Sequence, residues 1–454
     1  MPKTRSSFVC QQCGFESLRW FGKCPECGTW NSAVETVVSD EKTKKLKNLK
    51  TNSQPISLTS ISSKSTARIS TKISELDRVL GGGIVPGQVI LIAGEPGIGK
   101  STLLLQLANE LSDVSGERSV LYISGEESTS QIAIRGQRLG ISKKTIQLLE
   151  ETDIDSAINT ISSFKGPTPS GLSLRVEDLQ AVVVDSIQTM ATSDLSGMAG
   201  SVGQVRECAF RLVRLAKENN VPVFIVGHIT KEGTVAGPAV LMHIVDTVLW
   251  FEGDKSLTLR LLRAVKNRFG PTDEVGIFSM EDKGLVPLDS PEKVFLSSER
   301  KNITGSATAS VLQGSRPLLV EIQSLVVPTK MPYPKRVGQG IDSKRLELLI
   351  AVLIRRCGLP LYEQDVFVNV AGGITLKNDP SVDLATTLSI ASAYFDKPLK
   401  QHAIAIGEIG LLGDIREVVA QGKRLGEAKR LGYKVSITNE QFLYLNKAIK
   451  DLFS

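Results

Sequence analysis

The stretch "VILIAGEPGIGKSTLLLQLANELS", residues 89–112, constrains this chain more than any other. An apolar run of β-formers, "VILIA", ends in a glycine-rich turn and passes straight into a helical pattern. The turn, "GEPGIGKS" (94–101), fits the spacing GxxxxGK[ST], and a strand before it with a helix after it is the setting that spacing requires to bind phosphate. The backbone N–H groups of such a loop and the start of the following helix converge on one point and favour negative charge there. Gly94, Glu95, Pro96, Gly97, Ile98 and Gly99 are therefore expected to cradle the phosphates of ATP. Lys100 would reach the β- and γ-phosphates, Ser101 would ligate Mg2+, and Thr102 belongs to the same nucleotide-binding set.

A loop of this kind needs a sheet around it. The runs "SVLYIS", "AVVVDS", "VPVFIVGH", "HIVDTVLWFE" and "LTLRLLRAV" alternate with helical patterns, so residues 67–288 read as an α/β domain with a mainly parallel central sheet. Asp185 ends "AVVVDS" and is a candidate to hold Mg2+ through water, with helix capping as the structural alternative. "LYISGEES" ends in Glu126 and Glu127, at the strand edge where ligands bind in such sheets. Either carboxylate would suit a group that orients or deprotonates water, and a solvated loop glutamate fits the same letters. His228 closes "FIVGH", where it would sense the γ-phosphate or simply pack.

The remaining chain divides by composition. With 454 residues, 41% hydrophobic and 22% charged, two or three globular domains are expected. No apolar run approaches the length of a membrane span, and the first residues lack a signal-peptide core, so a cytoplasmic protein is expected. The net charge of +6 leans toward anionic partners without naming one.

Residues 1–35 carry Cys10-x2-Cys13 and Cys24-x2-Cys27, two knuckles able to close four thiolates around Zn2+; rubredoxin-type iron uses the same ligand set. Trp20, Phe21 and Trp30 are expected to form a small core over the metal. Residues 36–66, rich in Ser, Thr and Lys, read as a flexible linker. Residues 289–454 mix strands and helices and read as an α+β domain.

One basic segment stands outside these motifs. "RAVKNRFG" (263–270) sets Arg263, Lys266 and Arg268 within six residues of each other. It is either an ordinary basic turn or a pair of charges with a phosphate to meet.

The four-cysteine module, "GEPGIGKS", "KNRFG" and the C-terminal domain together resemble one family over nearly the whole chain, the RadA (Sms) family of bacterial DNA repair proteins. Its ATPase core is similar to those of the RecA recombinase and the DnaB helicase. The resemblance implies a homo-hexameric ring on single-stranded DNA, ATP hydrolysis, branch migration of recombination intermediates and work beside a RecA-type recombinase. It selects Glu126 over Glu127 as the catalytic glutamate. It also implies that Lys266 and Arg268 enter the neighbouring subunit's site as a finger pair, because "LTLRLLRAV" is expected at the far edge of the sheet from the P-loop. "SDLSGMAGSVGQVRE" (193–207), with Arg206, and "TKEGTVAGP" (230–238), with Lys231, are the expected DNA loops.

Residues 289–454 resemble the proteolytic domain of Lon, whose chemistry uses a Ser–Lys dyad. Ser381 in "NDPSVDLA" takes the nucleophile's position, but Gly422 falls where the lysine belongs and Lys423 comes one residue later, turned about 100° away on a helix. Ser381 is therefore expected to cap a helix. Lys335, Arg336, Lys344 and Arg345 are candidates for a patch contacting the DNA backbone, with an ordinary solvated face as the alternative. An ATP-dependent protease and a nucleotide-switched scaffold remain the alternative functions.

Overall fold

The computed structural model describes residues 5–10, 13–30, 32–38, 67–112, 118–164, 178–228, 238–253, 258–288, 296, 303–371, 376 and 379–453. They form two compact units, Met1–Leu288 and Asp289–Ser454. Beyond Val38 the linker read at 36–66 lies outside the described residues, as does most of "TKEGTVAGP" with Lys231.

The first unit begins with a small antiparallel sheet of β1 (Arg5–Cys10), β2 (Glu16–Ser17) and β3 (Ala33–Val38), ordered β2-β1-β3. Strand β3 carries this ribbon past residue 35 to Val38. The α/β body then runs α1 (Ser74–Leu80), β4 (Val89–Gly94), α2 (Lys100–Leu111), β5 (Ser119–Ser124), α3 (Thr129–Arg138), β6 (Ile146–Glu150), α4 (Ile154–Ser162) and β7 (Leu179–Asp185). It continues through α5 (Val202–Asn219), β8 (Val223–His228), α6 (Pro238–Leu241), β9 (Thr247–Glu252), β10 (Leu259–Asn267), β11 (Val275–Glu281) and β12 (Gly284–Pro287).

These nine strands make one sheet, ordered β12-β11-β10-β9-β4-β8-β7-β5-β6. The six from β9 to β6 are parallel, and β10, β11 and β12 extend it antiparallel. The sheet buries both faces, as a parallel sheet must. Along β4, Val89, Leu91 and Ala93 face a core shared with α4 and α5, while Ile90 and Ile92 face one shared with α1 and α2. The parallel arrangement matters for function because it brings the C-terminal ends of those six strands to one edge.

The second unit holds β13 (Ser306–Gln313), β14 (Arg316–Pro328), β15 (Arg336–Gln339), α7 (Ser343–Cys357), β16 (Gln364–Val370) and α8 (Asp383–Phe395). After them come β17 (Ala403–Ala405), β18 (Glu408–Ile409), β19 (Ile415–Arg416), α9 (Gln421–Arg430), β20 (Val435–Ile437) and α10 (Leu445–Phe453). Its mixed sheet is ordered β15-β16-β14-β13-β17-β20. Helix α8 is buried from Asp383 to Ser392, and the hydroxyls of "DLATTLSIAS" are satisfied inside: Thr386 and Thr387 donate to the Val382 and Asp383 carbonyls, and Ser389 to that of Thr386.

Candidate active site and zinc centre

The P-loop leaves β4 at Gly94, where an added Cβ would lie 2.5 Å from the Phe251 carbonyl oxygen, so the loop can turn there only with glycine. Gly99 caps α2 at φ 118°, a left-handed conformation that again favours glycine. Lys100, 3% exposed, donates from Nζ to the carbonyls of Gly94 (2.9 Å) and Glu95 (3.0 Å). Burial pushes its ammonium down to about 8, against the opposing pull of Asp185 and Glu126. Ser101 and Thr102 follow in the first turn of α2.

Register brings the other candidates to the same edge. Ser124 pairs with Asp185 across β5 and β7, and Gly94 pairs with His228 across β4 and β8. Glu126 and Glu127, adjacent in sequence, part company here. The Glu126 carboxylate accepts from the Ser186 hydroxyl and lies 3.2 Å from His228 Nε2. Those contacts, led by the approach of His228, hold its carboxyl below the usual carboxylate range against the effect of burial. Glu127 instead pairs with Arg135 on α3. Asp185, 6% exposed, accepts from Tyr122 Oη at 2.5 Å, and burial first, then Asp185, drive that phenol well above its ordinary value.

Tyr122 and Ser186 were not among the residues the sequence singled out. Tyr122 is the one hydroxyl-bearing aromatic in "SVLYIS", and Ser186 directly follows Asp185 in "AVVVDS". Those letters were the available signals, but only the strand register pairs them with their carboxylates.

Strand β10 corrects the expected position of "KNRFG". It lies two places from β4, not at the sheet's lateral edge. Because β10 runs antiparallel to β9, Lys266 pairs with Val248 and Asn267 with Thr247, after a bulge at Ala264/Lys266. Thr247 is level with Ile90 at the start of β4. The finger candidates thus sit toward the opposite end of the strands from their own P-loop: Lys266 is level with Leu91, roughly 10 Å along the strand from Gly94 at the usual rise, and Arg268, bonded to Asp246, is roughly 16 Å along it. Lys266 Nζ donates to the carbonyls of Met242 (2.6 Å) and Val245 (2.7 Å), and Arg268, 57% exposed, lies 3.5 Å from Asp246 Oδ1. Arg263 is spent on Glu252 at 3.0 Å.

The loop after β7 is tied down. Gln204 binds Thr192, Leu195 and Gly197 main-chain groups, while Arg211 joins Asp155, Asp194 and Glu207. Arg206, expected to meet DNA, donates to the Cys13 carbonyl of the ribbon at 3.1 Å.

In that ribbon the four sulfur atoms of Cys10, Cys13, Cys24 and Cys27 lie within 4.8 Å of one another. Cys10–Cys27 at 3.6 Å and Cys13–Cys24 at 3.5 Å fit the roughly 3.8 Å edge of a tetrahedral tetrathiolate around zinc. Each knuckle closes alike, with Gly14 N donating to Cys10 O and Gly28 N to Cys24 O, both at 2.9 Å. The expected aromatic core is different. Trp20 and Trp30 are exposed, Lys23 lies over the Trp30 ring, and Phe15 packs edge-on against Phe21. With four thiolates stapled by a metal, so small a module has little need of a larger apolar core.

Among the described residues the second unit offers no dyad at Ser381. Its side chain is fully buried, its Oγ donates to Ser310 O at 2.9 Å, and Arg424 Nη1 donates to it at 2.6 Å. Arg424 also pairs with Asp379, while Gly422 and Lys423 are exposed. The expected cap is corrected too: Asp379 caps the turn by accepting from Ser381 N, with Pro380 in its first position. The basic patch loses two of its four members. Arg336 donates to the Gln364 and Leu361 carbonyls, and Arg345 pairs with buried Asp383. Lys335 and Lys344 remain exposed.

Fold and site together define a zinc-ribbon ATPase with a RecA-like core. Residues 69–286 match the ATPase family model described as KaiC, and residues 8–35 match the rubredoxin metal binding domain. The DNA repair protein RadA of Bacillus subtilis is 46% identical over 438 residues, 96% of this chain and 92% of its own. RadA of Halalkalibacterium halodurans is 44% identical over the same shares, and that of Listeria monocytogenes 46% over 95% and 91%. The chain belongs to the RadA family of DNA repair proteins. Among the described residues no helix is long and apolar enough to cross a membrane.

Proposed function

We propose that the chain is an ATP-driven motor that assembles as a homo-hexameric ring on single-stranded DNA and promotes branch migration of recombination intermediates. A RecA-type recombinase is the partner such intermediates imply, and the cytoplasm is the compartment that holds the DNA and keeps zinc thiolates reduced. The observation that carries this reading is the division of charge between the two ends of one sheet. Lys100, Glu126, Asp185 and His228 gather at the P-loop, while Lys266 and Arg268 lie toward the other end of the strands, away from their own P-loop.

In this reading the phosphates take the loop N–H groups and the start of α2, and Lys100 exchanges the Gly94 and Glu95 carbonyls for phosphate oxygens. Ser101 and Asp185 are oxygen donors suited to Mg2+, which would neutralise charge on the phosphates. Glu126, kept ionised by His228 and Ser186, orients the attacking water and takes its proton. His228 touches that carboxylate and reports the γ-phosphate to the segment following β8. Lys266 and Arg268 of the adjacent subunit stabilise charge on the transferred phosphoryl group.

The test is a branch-migration assay on a three-strand intermediate, beside ATP turnover with and without single-stranded DNA. The expected result is DNA-stimulated turnover and ATP-dependent migration, both lost in Lys100→Ala. Turnover indifferent to DNA contradicts the motor.

A further inference from the structure

We propose that Asp246 is a positioning residue for turnover on the neighbouring subunit: it aligns the Lys266/Arg268 pair that its own subunit presents. The inference rests on the reading that this pair works across a subunit boundary.

Asp246 precedes β9 and is 3% exposed. Its Oδ2 accepts from Val89 N at 3.0 Å and from Lys217 Nζ at 2.6 Å, and its Oδ1 faces Arg268 Nη1 at 3.5 Å. The main chain repeats the tie. Asp246 N donates to Val89 O at 3.1 Å, and Arg268 N donates to Asp246 O at 3.2 Å. One residue therefore joins the first position of the P-loop strand to the residue that faces outward. Lys266 is docked on the carbonyls of Met242 and Val245, just ahead of it.

The surroundings explain why a carboxylate stands here. A buried carboxylate is costly unless cations and donors meet it, and Lys217, Val89 N and Arg268 do. Lys217 also sits over the Phe269 ring at 5.6 Å from its centroid, and Arg68 donates to the Phe269 carbonyl. The turn is thus gripped from α5, from β9 and from residue 68, while the Arg268 side chain stays 57% exposed. At 3.5 Å the carboxylate steers that guanidinium without the short contact that would hold it back from a phosphate. An exposed arginine otherwise samples many rotamers, and fixing its point of departure reduces the ordering left for the moment of reaction.

The experiment uses the full-length protein and ATP turnover on single-stranded DNA, with Asp246→Asn, Arg268→Ala and Lys100→Ala alone and in mixtures. Asp246→Asn keeps an acceptor for Val89 N and removes the charge. It is expected to bind nucleotide as the parent does and to turn over about ten- to a hundredfold more slowly, the scale of a misplaced catalytic group. Combined with Arg268→Ala it should cost nothing further, whereas a merely structural role would add its own loss. Mixed with Lys100→Ala it should regain turnover, because those partners supply intact fingers to its intact P-loop. Lys217→Met, at a half-exposed position, should show a smaller loss with the same rescue if Asp246→Asn folds poorly. Parent-like turnover in Asp246→Asn overturns the proposal. So does a loss that Lys100→Ala protein fails to relieve while relieving that of Arg268→Ala, since Asp246 would then act on its own P-loop through Val89. Full turnover in Arg268→Ala itself sinks the cross-subunit reading and this inference with it.

Discussion

The cluster around Glu126 and the cluster around Ser381 both lie where sequence resemblance points to catalysis, and they are built in opposite ways. At Glu126 the protein keeps its charges in reserve: a lysine holds two of its own loop carbonyls, and a carboxylate is shared by a histidine and a serine beside the phosphate loop. At Ser381 every group is consumed inside, with the hydroxyl on Ser310 and Arg424, and Arg424 on Asp379. Arginine cannot accept the hydroxyl's proton, so among the described residues no base meets the serine. A site has to hold interactions that a ligand can replace, and only the first cluster does.

Substitutions should separate the two clusters by size and by kind. Lys100→Ala should weaken ATP binding by on the order of a hundredfold, the loss of a charge-assisted contact, read by nucleotide titration. Parent-like affinity would mean that Lys100 belongs to its carbonyls as firmly as Ser381 does.

A pH series probes the same lysine. Its folded value of about 8 lies below the ordinary 10.5, so between those values the unfolded chain binds more proton than the folded one. This group's contribution to the stability of the nucleotide-free protein should therefore rise with pH across that window. Phosphate raises the lysine's affinity for its proton, so ATP binding at about pH 9 should take up a proton and weaken as pH rises. Calorimetry in two buffers of different ionisation enthalpy reads that uptake directly.

The smallest effect is expected at Ser381. Ser381→Ala should leave ATP turnover unchanged and cost about 2 kcal/mol of stability in denaturant unfolding, for two lost buried hydrogen bonds, one of them to a guanidinium. Peptide cleavage by the parent that vanishes in this variant would reverse the contrast.

How far the letters reached follows from the range of each interaction. The P-loop and the cysteine knuckles are set by neighbours within a few residues, so spacing sufficed. The strands "VILIA", "SVLYIS", "AVVVDS" and "FIVGH" were visible for the same reason. Tyr122 beside Asp185 and Ser186 beside Glu126 are contacts across 63 and 60 residues, which no local pattern carries. The position of "KNRFG" needed the strand order, because β10 reverses direction beside β9 and lands its end against Thr247. Trp20 and Trp30 misled because aromatic residues in so small a module suggest a core that the metal site replaces. Arg424 escaped notice through helix phase: one residue after the exposed Lys423, it points inward and donates to Ser381 Oγ, taking the place beside it where a base would have to stand.

The central claim, that Glu126 and not Glu127 drives hydrolysis, has one direct measurement. Single-turnover ATP hydrolysis is compared in the parent, Glu126→Gln and Glu127→Gln, each first shown to bind ATP. Glu126→Gln should bind normally and hydrolyse about a hundred- to a thousandfold more slowly, the usual reach of a general base, with Glu127→Gln close to the parent. Normal hydrolysis in Glu126→Gln together with its loss in Glu127→Gln would contradict the account.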